Sequence, residues 1–492
     1  MIKKYRVLLI LVTMFLAISI LAYIQKYHEK THRMITAYGA SSDLADNSAA
    51  INEAIARNNN VIIPEGSFSI QSMVKLKNGL TIQGTRELSK IVIDDTFNVG
   101  NYFPENEFAI MNADFSKTYN DTTADEITIR GITFVMTNNN PASITTILGF
   151  ANIKKLTIED CDFIIENHLI SGNNMDLYAG CKNVVIRDCY FKNDTGAAAG
   201  CGIMVRCFTA DGALFDNETA NVLIENNKFD KNGNDEVVAV WGGIGQVRDV
   251  TVRRNEINTY GRVPSVIISA FAGERNAFST ARAENITFAD NHIVTDSIAA
   301  TVIQVGQKTD NIAELNNIKI INNTIAAQVQ ETGLSNVIKS INQPQHNNII
   351  IDSNTITNTG SINIAYGING KGEVSNNVIN GLFNASIANG DRSYGNTINN
   401  NLEGAAIENV RNAEKNTINN CRIGIKCFYS DTFYLTNNTI RMADYADSFG
   451  IQALNVDDSY PIVYVNNNEI INTNNSSKQV FSNGGMIREG AL

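Results

Sequence analysis

Apolar residues return along this 492-residue chain in one short phrase, apolar-x-apolar-x-x-Asn-x-apolar. Full copies read VLIENNKF (222–229), VTVRRNEI (250–257), ITFADNHI (286–293) and IKIINNTI (318–325). They continue as IIIDSNTI (349–356), FYLTNNTI (433–440) and VYVNNNEI (463–470). Shorter forms are VSNNVI (374–379) and NTI at 396–398 and 416–418. LTIEDCDF (156–163) and VVIRDCYF (184–191) carry Cys in the Asn slot. The phrase opens with the period of two that marks a strand. Its Asn then permits the tight bend that β-branched residues resist. The closing apolar residues are Phe163, Phe191, Phe229, Ile257, Ile293, Ile325, Ile356, Ile379, Ile398, Ile418, Ile440 and Ile470. Their spacings are 28, 38, 28, 36, 32, 31, 23, 19, 20, 22 and 30 residues. The shortest suit one bare coil of a solenoid; the longer ones suit coils with insertions on one side.

A motif position that recurs on every turn predicts an all-β fold, a single-stranded right-handed parallel β-helix. Antiparallel sandwiches space their strands regularly but have no such position. The slot holds Asn227, Asn255, Asn291, Asn323, Asn354, Asn377, Asn396, Asn416, Asn438 and Asn468. Stacked at roughly 4.8 Å, each amide can donate to one neighbour and accept from the other. Such a ladder satisfies itself where a single buried Asn would not. Cys161 and Cys189 would extend it as small apolar residues, as a disulfide or, the favoured reading, as two buried thiols. The ladder is structural and carries no chemistry.

The residues before the first copy read differently. Asp46 or Asn47 caps a predicted helix whose apolar stripe is Ala50, Ile51, Ala54 and Ile55, ending at Asn58-Asn59-Asn60. A buried strand, Val61–Ile63, then meets a Pro64-Glu65-Gly66 turn. Short strands at Leu80–Ile82 and Ile91–Ile93 follow. One helix cannot hide its own apolar face, so it is expected to plug the open end of the solenoid. Tyr38-Gly39-Ala40, Asp43, Asp46-Asn47, Ala50-Ile51, Ala54-Ile55, Ile63-Pro64-Glu65-Gly66 and Phe68 form a pattern. It closely resembles the N-terminal segment of the pectate-lyase-like superfamily, with Ser41-Ser42 replacing the usual Gly-rich run. The resemblance implies the fold. It leaves reaction type open, because that superfamily gathers lyases, hydrolases, epimerases and phage tail proteins.

Composition then narrows partners and location. Hydrophobic residues at 43% and charged residues at 18% are globular proportions. A net charge of −11 argues against nucleic acid as the main partner. Lys3, Lys4 and Arg6 precede an apolar or small run from Val7 to Ile24, which as a helix spans about 27 Å. This predicts residues 1–33 as a signal anchor and linker, with an extracytoplasmic body over 34–480 and a tail over 481–492. A cleaved signal peptide, cut near Ala17-Ile18-Ser19, is the alternative. Seven cysteines, an odd number without CxxC spacing, do not read as a disulfide scaffold or a zinc site.

Candidate chemistry concentrates in 203–271. Asp235 and Glu236 precede the apolar run Val237–Gly242, and Thr209-Ala210-Asp211-Gly212 lies about one coil earlier. These look like the paired aspartates and the "NTDG" element of the polygalacturonase branch. That branch's Gly-His-Gly and Arg-x-Lys signatures are absent, which counts against ordinary galacturonan hydrolysis. Three gathered carboxylates could supply a general acid of raised pKa and an ionised base. A lyase would instead use Ca²⁺ to neutralise a uronate and an Arg as base; no resident cofactor or metal is otherwise called for. Arg206, Arg254 and Arg262 are candidate substrate contacts. Adjacent Arg253 and Arg254 should face opposite ways. Trp241, the lone Trp, would stack on a sugar if exposed or pack under a loop if buried. The reading is a membrane-tethered enzyme, hydrolase or lyase, acting on a polysaccharide, with a homo-oligomer compatible. The alternative is a non-catalytic glycan-binding or surface-assembly protein.

Overall fold

The computed structural model describes residues 14–16, 18–19 and 33–489 apart from 99–106, 114, 116–124, 138–145, 167–172, 195–199, 208–217, 233–234, 244, 261–265, 273–280, 297–300, 307–313, 329–333, 342–345, 430, 457–459, 472–477 and 484–485. The strands form one 16-stranded and two 15-stranded sheets, each strand pairing with the strand three places along the chain. Sheet I begins at Asn60–Ile62, sheet II at Gly66–Ile70 and sheet III at Val74–Leu76, and pairing is parallel throughout. The chain therefore winds I, II, III, I, as a right-handed parallel β-helix.

The closing apolar residues of the phrase form one unbroken column in sheet II. Phe134, Phe163, Phe191 and Phe229 pair in register, with ring centroids 5.1, 4.9 and 4.7 Å apart. Ile257, Ile293, Ile325, Ile356, Ile379, Ile398, Ile418, Ile440 and Ile470 continue it. In sheet III, Ile268, Ile303, Ile338, Ile368, Ile387, Ile407, Ile425 and Ile451 form a matching inward column.

The Asn ladder is present and continuous. Each Nδ2 donates to the Oδ1 of the next coil, from Asn227 to Asn255 (3.1 Å) through Asn438 to Asn468 (2.8 Å). The same Nδ2 also donates back to a carbonyl of the preceding coil, as Asn323 does to Phe288 (2.9 Å). The bend itself belongs to the residue before the ladder position, which corrects the expectation that Asn makes the turn. Asp160, Asp188, Asn226, Arg254, Asp290, Asn322, Ser353, Asn376, Lys415, Asn437 and Asn467 all sit there, with φ between 51° and 56°. Cys161 and Cys189 occupy the ladder column as buried free thiols, and the Cys189 N–H donates to Asn227 Oδ1 at 3.0 Å.

Helix α1, Ser48–Arg57, buries Ile51, Ala54 and Ile55 against the first coil. Asp46 Oδ1 accepts from the Ser48 N–H (2.9 Å) and from Gln71 N–H (3.0 Å), tying the helix start to the solenoid. The coils continue to Glu489, so 478–483 and 486–489 are strands and not a tail. Most of the predicted anchor over 7–24 lies outside the described residues, which include 14–16 and 18–19 of it. Among the described residues no helix is long and apolar enough to cross a membrane.

From Arg130 onward, two residues separate every sheet I strand from its sheet II successor. Insertions enter only at the two corners that flank sheet III. That asymmetry leaves sheet III as the one sheet bordered by added chain on both sides.

Candidate functional site

Outward residues of sheet III stand side by side on successive coils because the strands are in register. Arg206, Trp241 and Phe271 are such a row. The Trp241 and Phe271 ring centroids are 5.5 Å apart and tilted by 43°, and both residues are half-buried. Arg206 is fixed at its inner end. It donates from Nε (3.1 Å) and Nη2 (2.5 Å) to both carboxylate oxygens of Asp176, and its Cζ lies 4.6 Å from the Tyr178 ring centre. A planar fork held on both sides keeps its outer edge in one place.

Asp176 is 1% exposed. Burial pushes its carboxyl upward, and the Arg206 charge opposes that push. Glu107, just before the sheet III strand Phe108–Asn112, is also pushed up by burial, with Arg206 opposing and Asp176 adding to the rise. Neither acid stood out in the sequence. Asp176 carried one legible sign, a charged residue at an outward position between the inward Met175 and Leu177. Its partner lies 30 residues away and only the winding brings them together.

Asp235 and Glu236 lie at the corner between sheets II and III, separated from the Asn227 bend by the strand Lys228–Asn232. Lys231 points into this corner, 2% exposed. Its Nζ donates to the carbonyls of Gly200 (2.5 Å) and Glu236 (2.9 Å). Cys201 Sγ sits 3.7 Å from Glu236 Oε2. Burial raises both carboxyls, with the Asp235 charge lifting Glu236 further. Burial lowers Lys231. Carboxyls raised by burial beside an interior lysine are the kind of grouping that serves acid–base chemistry. Five residue steps, roughly 17 Å of extended chain, separate Glu236 from Trp241.

The other expected residues divide. Asp211 and Arg262 lie outside the described residues. Arg254 does not join Trp241: it sits at the bend between sheets I and II, where its Nη2 reaches Glu225 Oε2 at 2.5 Å. Arg253 reaches the same carboxylate at 2.8 Å. Their side chains converge because Arg254 has φ 54°, which breaks strand alternation. Arg248 likewise pairs with Glu218 on sheet I (2.5 Å). His346 is buried at the start of the sheet I strand His346–Asp352, its Nδ1 2.7 Å from Ile341 O, and His168 lies outside the described residues. Among the described residues no three His, Cys, Asp or Glu side chains are grouped to hold a metal ion.

No family model matches the chain, and no characterised protein matches it by sequence. Solved structures do. A tailspike protein mutant of E. coli bacteriophage HK620 in complex with hexasaccharide is 12% identical, covers 93% of this chain and 81% of its own, and has a TM-score of 0.59. A second mutant of that tailspike gives 13% identity, 92% and 80% coverage, and a TM-score of 0.60. The Streptococcus pneumoniae surface protein and adhesin PfbA is 15% identical over 92% of this chain and 99% of its own, with a TM-score of 0.44. At these identities the tailspike likeness speaks to architecture. The chain has the right-handed parallel β-helix fold to which its capping segment and repeat pointed.

Proposed function

We propose that this protein is an extracytoplasmic, membrane-tethered glycan hydrolase whose sheet III cleft holds a polysaccharide chain. The observation that carries the reading is the row Arg206–Trp241–Phe271, on the one sheet flanked by insertions at both corners. Aromatic rings on adjacent coils, roughly 4.8 Å apart, suit successive sugar faces. A fixed guanidinium at the end of the row suits a ring hydroxyl or carboxylate. Cleaving a glycosidic bond requires an acid that is still protonated at working pH, paired with a carboxylate. Glu236 is assigned as that acid and Asp235 as its partner, with Asp211 as the third carboxylate and Arg262 as a further substrate clamp. Two carboxyls on one corner suit the acid and carboxylate pair that hydrolysis uses. The tailspike's hexasaccharide and the Lys3, Lys4, Arg6 and Val7–Ile24 run support the substrate class and the location.

The second reading is glycan binding without cleavage. It is favoured by the roughly 17 Å of extended chain between Glu236 and Trp241 and by the packing of Glu236 against Cys201. One set of variants separates the two. Trp241→Ala should weaken retention in glycan-containing native gels by roughly tenfold while leaving Tm unchanged. Glu236→Gln should abolish release of reducing ends and preserve retention. Retention unaffected by Trp241→Ala sinks both readings; a parent protein that is retained but releases no ends leaves binding alone.

A further inference from the structure

Chain is added at the corner between sheets III and I in the long coils, and at one point that addition stops. Ser340 pairs with Gly370 in sheet III, and Ile350 pairs with Glu373 in sheet I. Residues 341–349 join Ser340 to Ile350, whereas Lys371 and Gly372 alone join Gly370 to Glu373. The next coil keeps the short path: Ala388 pairs with Asn369 and Arg392 with Glu373, so 389–391 answer to 370–372. The strand His346–Asp352 therefore overhangs the two coils that follow it. His346, Asn347 and Ile349 pair with the coil before, while pairing with the coil after starts only at Ile350.

Under that overhang lies a hollow of about 320 Å³, at the small end of the range for ligand pockets. Residues 346–350 form one side of it, and Lys371, Glu373, Asp391 and Arg392 line the other. The lining is tied together. The Gly372 N–H donates to Asp391 Oδ2 at 3.3 Å. Arg392 donates from Nη1 to Glu373 (3.5 Å) and from Nη2 to Glu414 (3.3 Å), and its Cζ lies 4.9 Å from the Tyr394 ring centre. Gly372, at φ 133°, runs so close beneath the overhang that a Cβ would stand 2.7 Å from Ile349 O, a position suited to glycine. The hollow thus follows from the backbone path and not from one rotamer.

The charged side chains of the lining are two of each sign, Lys371 and Arg392 against Glu373 and Asp391. Arg392 is already met by Glu373 and Glu414, so the hollow does not call for an ion. Carboxylates only accept hydrogen bonds, and ammonium and guanidinium groups only donate them. A ligand that answers both within one small space must give and accept from neighbouring atoms, as adjacent hydroxyls do. Ile350, half-buried between the buried Ile349 and Ile351, adds hydrocarbon for the C–H side of a ring. The geometry points to a saccharide-binding site under this overhang, which takes one or two rings of a neutral glycan through vicinal hydroxyls held by Asp391 and Lys371. It lies on sheet I, beyond the coils that carry the Trp241 row on sheet III. It stands whether or not that row holds or cleaves a polysaccharide.

The test uses the full chain and saturation-transfer NMR with the methyl glycosides of glucose, galactose, mannose and N-acetylglucosamine. Galacturonate and glycine betaine serve as charged comparisons. At least one neutral glycoside should receive transfer, and neither comparison should. Asp391→Ala should weaken the affinity roughly tenfold. Ile350→Trp fills the hollow from an outward position, so it should abolish transfer there while Tm stays unchanged. Trp241→Ala should leave this binding in place, and adding Ile350→Trp should abolish what remains, which separates the hollow from the sheet III row. Transfer that survives in the Trp241→Ala, Ile350→Trp double variant overturns the proposal. Loss of all transfer in Trp241→Ala alone also overturns it, by placing the sugar on the sheet III row. So does transfer to none of the four glycosides, or a galacturonate or betaine that binds as tightly as the best of them.

Discussion

Asn323 shows how much one side chain can carry in this molecule. Its Nδ2 donates to Phe288 O (2.9 Å) and Asn354 Oδ1 (3.0 Å), while its Oδ1 accepts from the N–H (3.0 Å) and Nδ2 (3.0 Å) of Asn291. Asn323→Ala strands these partners in the interior and should cost about 2–4 kcal/mol. Denaturant titration should show a lower midpoint with an unchanged slope. Glu236 makes the opposite case. Burial raises its folded-state pKa, so the folded chain holds the proton more tightly than the unfolded one. Its contribution is therefore present at low pH and lost as pH rises through the folded pKa. Glu236→Gln should match the parent Tm near about pH 3.5 and exceed it near about pH 8. An equal Tm difference at both pH values would contradict the shift. The ladder was legible in the chain because one residue type fills one slot. The bend beside it was not, because Asp, Asn, Arg, Ser and Lys all serve there.

At the scale of elements, the sheet II column is a continuous stack of rings and then of isoleucines. Phe191 is held between Phe163 and Phe229, at 4.9 and 4.7 Å, with no room for the chain to close over a gap. Phe191→Ala should cost about 3–5 kcal/mol, read by thermal or denaturant unfolding; a cost below that of an exposed site would mean the coil relaxes. The strands of sheets I and II could be read from the phrase, since alternation and bend lie within eight residues. Sheet III strands could not be ordered that way, because insertions of variable length separate them from the phrase. This is why Asp235, Glu236 and Trp241 were found as neighbours in sequence, whereas the Asp176–Arg206 pair was not. It is also why Arg254, close to Trp241 in number, proved to belong to another corner.

For the whole molecule, the two ends of the solenoid are unequal. Helix α1 covers the first coil with Ile51 and Ala54 fully buried. At the other end Val480 is 43% and Met486 49% exposed. Hydrogen exchange should therefore be fastest in 478–483 and 486–489 and slow in the central coils. Ile51→Asp should bring the first coils to similar rates, and unchanged N-terminal protection would show that the helix is no plug. The capping segment announced this end of the molecule plainly, since its helix period breaks the strand period around it.

The ladder also has a direction. Between Asn side chains, each amide nitrogen donates toward the C-terminal coil and each amide oxygen receives from the N-terminal one. A chain delivered N-terminus first thus leaves, on each finished coil, a hydrogen waiting for the oxygen that the next Asn brings. Synthesis order and bonding order coincide, so the solenoid can be completed like a zip closing behind the emerging chain, each tooth set by the one already in place.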